Sequence, residues 1–295
     1  MPPKSQQVLF KEKTPFKFKF PTVEFRRAIR CGDIHTIEKC LDVERVNPNA
    51  LFVGKQTALH IVAEHGMYEI AKRLLANRKT KIDPVSLHGF TPLMLASQVG
   101  NIQMMQLLLH YKAQKGKQDF HGRTILHWTV LQRNLYATYF LLRNRFDPNV
   151  MDIYGHTPLY LAATVIANFQ IVRILLKYKA DPLMSHCPNL NSFFELCLVA
   201  NSKDHENILR YMLRYIPNVN VVSGKFRMQC ALHMVAITNY LPIAKILRDK
   251  GADCLQKDLI GRTPIDLATA LNNREMVYFL THYSPAGRVR LRSEL

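Results

Sequence analysis

Much that would name a chemistry is missing from these 295 residues. There is no Gly-x-Gly-x-x-Gly, no phosphate-binding loop, no His-Glu-x-x-His and no Gly-x-Ser-x-Gly. The common dinucleotide, phosphoryl-transfer, zinc-protease and serine-hydrolase sites therefore lack their residues, and no enzyme is expected. No run of 18 apolar residues occurs, so no membrane-spanning helix is expected. Met1 to Phe20 alternates Lys with apolar residues and has no unbroken apolar stretch, unlike a secretory signal. The six cysteines (Cys31, Cys40, Cys187, Cys197, Cys230 and Cys254) form no Cys-x-x-Cys pair and no disulfide-framework spacing. Buried, reduced thiols in an intracellular protein, cytoplasmic or nuclear, are the expectation. Acidic residues are few: 22 Asp+Glu face 40 Lys+Arg, for a net charge of +18. No block of consecutive basic residues concentrates that charge, so it favours acidic partners or anionic surfaces without naming one.

What the chain does have is repetition. The phrase Thr57-Ala-Leu-His-Ile-Val returns as Thr91-Pro-Leu-Met-Leu-Ala, Thr124-Ile-Leu-His-Trp-Thr and Thr157-Pro-Leu-Tyr-Leu-Ala. It resumes as Cys230-Ala-Leu-His-Met-Val and Thr263-Pro-Ile-Asp-Leu-Ala, with steps of 34, 33, 33, 73 and 33. A fixed period of this size means stacked supersecondary units. Four units open on a turn with Gly two residues before the Thr, at Gly89, Gly122, Gly155 and Gly261. Thr suits a helix N-cap, and Pro92, Pro158 and Pro264 suit the first helical position, where no N–H is needed. Gly66 and Gly100 end the short first helix; Arg133, Ile166, Asn239 and Asn272 hold that place in other units. A second helix follows, marked by apolar clusters such as Leu107-Leu-Leu109 and Ile174-Leu-Leu176. Neither helix can bury its apolar stripe alone, so neighbouring units must cover it.

Turn, Thr-Pro-Leu-His-like helix start, short helix, Gly and second helix within 33 residues resemble the ankyrin repeat. The resemblance covers about Phe20 to Tyr283 and implies an all-α solenoid of about eight helix-turn-helix repeats joined by β-turns or hairpins. Units are expected near 23–52, 53–86, 87–119, 120–152, 153–187, 188–225, 226–258 and 259–283. A basic arm, 1–20, precedes them and a basic tail, 284–295, follows. The sixth unit, from Ser192-Phe-Phe-Glu-Leu-Cys, lacks its Gly and Pro, and about five extra residues precede Cys230, as a longer turn or an extended second helix.

Candidate sites follow from the same register. His60, His127 and His233 recur three residues after the Thr or Cys, but stacking sets equivalent atoms about 10 Å apart, too far for one metal. The resemblance implies that they bond neighbouring turns, and neither metal nor cofactor is expected. Trp128, the only tryptophan, stands where other units have Ile, Leu or Met, and reads as core. The resemblance also implies a concave partner-binding surface made by the turns and the exposed side of the first helices. Carried over unit by unit, it comprises Leu87, His88 and Phe90; Phe120, His121 and Arg123; Ile153, Tyr154 and His156; and Leu259, Ile260 and Arg262.

Turns ordinarily favour small polar residues, yet Leu87, Phe120, Ile153 and Leu259 are apolar. They form either an exposed binding patch or tips that pack sideways on each other. Arg123, Arg262, His88, His121 and His156 would give that patch a basic, polar rim suited to an acidic partner. The expected function is a non-catalytic scaffold or adaptor, monomeric, binding a protein partner and no small-molecule substrate. The alternative is a charge-driven binder of an anionic lipid surface or nucleic acid, through the arm Lys11-Glu-Lys-Thr-Pro-Phe-Lys-Phe-Lys-Phe20. The terminal Arg292-Ser-Glu-Leu295 has the form of a PDZ-binding chain end.

Overall fold

The structure, a computed structural model, describes residues 21–184, 191–223 and 228–283. The basic arm, the terminal Ser-Glu-Leu, Cys187 and the tips of the sixth and seventh turns lie outside the described residues. Sixteen helices stand in eight consecutive pairs among those described. They are α1 (Pro21–Cys31) with α2 (Ile34–Asp42), α3 (Ala58–Glu64) with α4 (Tyr68–Ala76), and α5 (Pro92–Gln98) with α6 (Ile102–His110). Next come α7 (Ile125–Leu131) with α8 (Leu135–Arg143), and α9 (Pro158–Tyr160) with α10 (Phe169–Lys177). The last are α11 (Ser192–Val199) with α12 (Lys203–Met212), α13 (Ala231–Thr238) with α14 (Leu241–Asp249), and α15 (Pro264–Ala270) with α16 (Arg274–His282). None is long and apolar enough to cross a membrane.

The expected solenoid is what forms. First helices pack on first helices from α1 through α15, and second helices form a parallel layer behind them. The core lies between the layers, where Leu59, Leu93, Leu126, Leu159, Phe193 and Leu232 meet Leu74, Leu108, Leu141, Leu175, Leu209 and Leu247, all buried. Because no helix exceeds eleven residues, its own hydrogen bonds could not hold it, and the neighbouring unit supplies the apolar cover.

Local chemistry starts and stops each helix as the phrase predicts, except in the fifth and sixth units. In the sixth, Asn191 and not Ser192 is the N-cap, its Oδ1 accepting from Phe194 N (2.9 Å), and Ala200 ends the helix in extended backbone. Thr91 Oγ1 accepts from Met94 N (3.3 Å) and Thr157 Oγ1 from Tyr160 N (3.2 Å). The residue ending the first helix is left-handed in glycine and non-glycine units alike: Gly66, Gly100, Arg133, Asn239 and Asn272 all have φ between 55° and 70°. In the fifth unit the left-handed residue is Ala167 (φ 51°), not the expected Ile166. A π-helical turn, Leu161–Val165, takes up one extra residue there, so the N-cap Asn168 stands eleven residues after Thr157 rather than ten. Such single-turn π-bulges are the usual way a helix absorbs an insertion.

A second ladder was not anticipated. Asn49 Nδ2 donates to Lys79 O (2.7 Å) while its Oδ1 accepts from Lys81 N (2.8 Å). Asn149 bridges Lys179 O and Asp181 N in the same way, and Asn220 bridges Gly251 O and Asp253 N. Each side-chain amide pairs like a strand with the loop of the next unit, satisfying backbone groups that the helix ends leave open.

The sixth-to-seventh junction resolves one alternative. The extra residues do not lengthen the second helix appreciably, since α12 has ten residues against nine for α10. They contribute a longer hairpin instead, β1 (Val222–Ser223) against β2 (Gln229–Cys230), with Val222 opposite Cys230. Elsewhere the turn closes more tightly, as in the bridge between Gln118 and Thr124.

Candidate partner-binding surface

Each described turn tip is built around one buried side chain. Asp119 Oδ1 accepts from His121 N (2.8 Å) and Arg123 N (2.9 Å), and Asp152 Oδ1 from Tyr154 N and His156 N (both 2.9 Å). Asp258 Oδ1 does the same for Ile260 N and Arg262 N, and Ser86 Oγ accepts from Phe90 N (3.1 Å). Short Asp and Ser side chains suit this role because they close onto their own downstream backbone. The residue after each of them is thereby pushed outward.

That placement answers the choice between exposure and sideways packing. The tips do touch through their backbones: Leu87 N donates to Gly54 O (2.7 Å) and Ile153 N to His121 O (3.0 Å). A Cβ on Gly89 would stand 2.5 Å from Phe120 N, and one on Gly122 2.8 Å from Ile153 N. The side chains nevertheless face outward. Leu87, Phe120, Ile153, Tyr154, Leu259 and Ile260 range from 51% exposed (Leu87) to 71% exposed (Leu259). The turns at Leu87, Phe120 and Ile153 are consecutive, so their residues form one row. Leu259, Ile260 and Arg262 stand apart, beyond two turns whose tips lie outside the described residues.

The motif histidines hold the turns from below. Thr57 N donates to His60 Nδ1 (3.0 Å), so the proton sits on Nε2, which donates to Phe90 O (2.9 Å) of the next turn. His127 reaches His156 O (3.0 Å) and His233 reaches Arg262 O (3.0 Å) with the same tautomer. Burial lowers all three pKa values, only partly offset by the carbonyls they contact, which keeps the rings neutral. Among the described residues no cluster of His, Cys, Asp and Glu could hold a metal.

Two expectations need correction. Trp128 is not core. Its counterparts Ile61, Leu95, Leu161, Met234 and Leu267 are buried, and the sixth unit, capped by Asn191, has the partly buried Glu195 there. The indole is likewise only partly buried, at the base of the turns. Its Nε1 donates to Asp119 Oδ2 (3.0 Å), Phe90 packs edge-on (centroids 5.3 Å apart) and the Arg123 guanidinium lies 5.6 Å over the ring. An indole N–H seeks an acceptor, and it finds the turn carboxylate of Asp119. The rim is also less basic than its residue types imply. Arg262 donates to Asp258 Oδ2 through Nε and Nη2 (3.1 and 3.0 Å), while Arg123 and His156 face Asp152 Oδ2 at 3.8 and 3.6 Å. Burial would raise Asp258, but the Arg262 backbone N–H, the Gln229 amide and the Arg262 guanidinium bring it down to about 2.

Turn, Thr-capped short helix, left-handed stop and second helix recur through the described chain, and comparison with known families agrees. Residues 25–119, 113–185 and 196–289 match the profile described as ankyrin repeats (3 copies). The chain belongs to the ankyrin-repeat family. Human SH3 and multiple ankyrin repeat domains protein 2 is 25% identical over 242 residues, covering 80% of this chain and 13% of that protein. Human inversin is 26% identical over 242 residues, 80% of this chain and 22% of its own length. Human neurogenic locus notch homolog protein 1 is 30% identical over 107 residues, 36% of this chain and 4% of its own. The ankyrin stack thus spans less than a quarter of the length of these relatives. Ankyrin repeats are, as a class, protein–protein interaction modules.

Within this ankyrin stack the aromatic line continues past Trp128. His156 stacks on Tyr160 (4.2 Å, 9°) and lies 5.9 Å from Tyr154. Tyr160 and Trp128 occupy the first helices beside the turns, and a reading limited to turn tips passes over them. For Trp128 the available signal was an oversize residue at a position mostly aliphatic; Tyr160, at the position of the motif histidines, gave none. The cysteines also divide. Cys40, Cys197 and Cys230 are buried, and burial pushes each thiol up, Cys40 to about 11, which makes them unreactive. Cys31 is exposed and Cys254 half-buried, contrary to the expectation for all six.

Proposed function

We propose that this chain is a non-catalytic adaptor holding another protein along its turns and the exposed side of its first helices, the concave face of the stack. One observation carries the reading: Leu87, Phe120, Ile153 and Tyr154 stand more than half exposed in a row, on turns bonded to their neighbours through the backbone. A contiguous exposed apolar patch on a folded chain is ordinarily a docking surface. A preorganised one loses little freedom when a partner arrives. His88, Phe90, His121, Arg123, Trp128 and His156 flank the row and would set orientation by hydrogen bonds and ring contacts. Because Arg123 and His156 already face Asp152, affinity rests more on apolar anchors than on an acidic partner.

The test is affinity capture with mass spectrometry on the full chain and on a Phe120→Ala/Tyr154→Ala variant. Both residues are exposed, so circular dichroism and the melting temperature should be unchanged. Captured proteins should fall at least tenfold, as expected when central aromatic anchors are removed. Unaltered capture by the double variant rejects the turn edge as the binding surface.

A second reading, charge-driven binding of nucleic acid or an anionic membrane, draws on a different observation. Helices α6, α8 and α10 carry no acidic residue, α8 and α10 expose Arg143, Arg173 and Lys177, and α8 also exposes Tyr136 and Tyr139. Such binding must weaken steeply as salt is raised. Repeating the capture at low and high salt separates the two, because apolar docking persists in salt.

A further inference from the structure

Away from the turns, the second helices at the end of the stack leave an open trough. One depression of about 660 Å³ is lined by Leu241, Arg274, Glu275, Tyr278, Phe279, His282 and Tyr283. Another of about 590 Å³ is lined by Lys203, Glu206, Arg210, Leu241, Pro242, Lys245, Phe279 and Tyr283. They share Leu241, Phe279 and Tyr283, so the two are one continuous trough across α12, α14 and α16. Its floor is apolar: Phe279 stacks on Tyr283 (4.6 Å, 28°), flanked by Leu241 and Pro242. Its far wall is the stacked pair Tyr278 and His282 (4.4 Å, 22°).

The rim charges are unequal. Of the acidic groups, Glu206 is buried and already engaged by Lys203 Nζ (2.7 Å) and the Tyr240 hydroxyl (3.1 Å). Asp249 accepts from the Tyr283 hydroxyl. That leaves Glu275 against three exposed cations, Arg210, Lys245 and Arg274, which form no ion pair among the described residues. The trough has one bound carboxylate of its own, and Lys203, ahead of the Tyr240 hydroxyl, holds Glu206 below its ordinary pKa. Its surroundings therefore stabilise carboxylates already.

The geometry points to a second docking site in this trough, for an acidic protein segment that lays apolar side chains on Leu241, Phe279 and Tyr283 and sets Asp or Glu against Arg210, Lys245 and Arg274. The fit is one of charge and shape together. An apolar floor anchors the segment, and a rim with excess positive charge selects its sign and its direction. Second helices stacked about 10 Å apart make the trough about 20 Å long, the reach of roughly six extended residues. This site is separate from the turn row, so the stack would hold two proteins on opposite sides.

The test uses fluorescence anisotropy on the full chain with a fluorescein-labelled peptide of about ten residues, Glu interspersed with Leu and Phe. A second peptide carries Gln in place of Glu. Binding of the first should weaken at least tenfold in Lys245→Glu/Arg274→Glu and by a similar factor with the Gln peptide. It should be unchanged in Phe120→Ala/Tyr154→Ala. Both reversed residues are exposed, and the single variant Lys245→Gln, expected to weaken binding two- to fivefold, guards against a folding defect. Equal affinity in the charge-reversed variant overturns the site. So does binding that appears only when residues 284–295 are removed, which would make the chain's own tail the occupant. Capture of phosphatidylserine vesicles through Lys245 and Arg274, with no peptide binding, also overturns it in favour of a lipid surface. None of these outcomes bears on the turn row, whose own variant is the control.

Discussion

At the scale of single residues, the stack depends on small contacts that bridge units. Gly100 has φ 70°, and a Cβ there would overlap Asn134 Nδ2, the side chain whose Oδ1 caps α8 by accepting from Ala137 N (2.9 Å). Gly100→Ala therefore forces a left-handed alanine and displaces a cap in the next unit. It should destabilise by about 1–3 kcal/mol, measured by urea unfolding. A loss under half a kcal/mol would mean that the cap is dispensable. The neutral histidines give a pH dependence with a definite sign. Burial holds His60, His127, His205 and His233 below their ordinary pKa, so the unfolded chain binds protons first as pH falls. Stability is full above about pH 6.5 and declines as pH drops from there toward the folded-state values. Urea midpoints measured from about pH 7.5 to 5.5 should fall, and His127→Gln should make the fall shallower. A flat profile would mean that these rings protonate freely in the folded state.

At the scale of elements, the fifth unit is the informative one. Thr91-Pro-Leu-Met-Leu-Ala-Ser-Gln-Val-Gly-Asn101 and Thr157-Pro-Leu-Tyr-Leu-Ala-Ala-Thr-Val-Ile-Ala-Asn168 align residue for residue once Ile166 is omitted. The extra residue is housed as the π-turn Leu161–Val165. Deleting Ile166 should convert that turn to ordinary α-helix, put Ala167 in the place of Gly100, and leave the melting temperature equal or higher. Insertions housed as π-turns cost local hydrogen-bond geometry that the deletion restores. A drop of more than about 3 °C, the effect of roughly 1 kcal/mol in a stack of this size, would show that the bulge is itself required. The phrase and its period were legible in the sequence to within one residue, here and in the sixth unit, whose N-cap is Asn191 and not Ser192. A shift of one passed unseen because Ile166 fills the glycine slot by count alone. Only the backbone dihedrals tell Ile166 from Ala167.

At the scale of the whole molecule, stability passes from neighbour to neighbour, and the sixth unit should be the first to open. Three polar side-chain atoms there, Ser192 Oγ, His205 Nε2 and Ser223 Oγ, are buried without a hydrogen-bond partner among the described residues. Such groups forfeit their hydration without replacement. The unit also lacks the compact turn of its neighbours, having the β1–β2 hairpin instead. Native-state hydrogen exchange should find amides of residues 192–223 opening faster than those of 125–177. Equal protection in both regions would remove the idea of a soft joint. An opening there would part the turn row at Leu87 to Tyr154 from α14 and α16 and would remove α12 from the trough. The turn row would survive such an opening, whereas the trough would lose its α12 wall.

The sequence by itself determined the repeat, the helix starts and the family, because these follow from short-range chemistry: a threonine cap, a proline with no N–H to lose, apolar residues three and four apart. It also placed the turn tips, since a short Asp or Ser closes its own turn wherever it stands. Tertiary structure alone decided which way those tips face, that Trp128 leaves the core for the Asp119 carboxylate, and that Arg123 and Arg262 spend their charge on buried aspartates. Each of those outcomes depends on contacts between residues brought together by the turn and its neighbour. Periodicity carries the spacing of units but not the distances across them. The trough at the end of the stack has the same origin, arising from three second helices that no local pattern sets side by side.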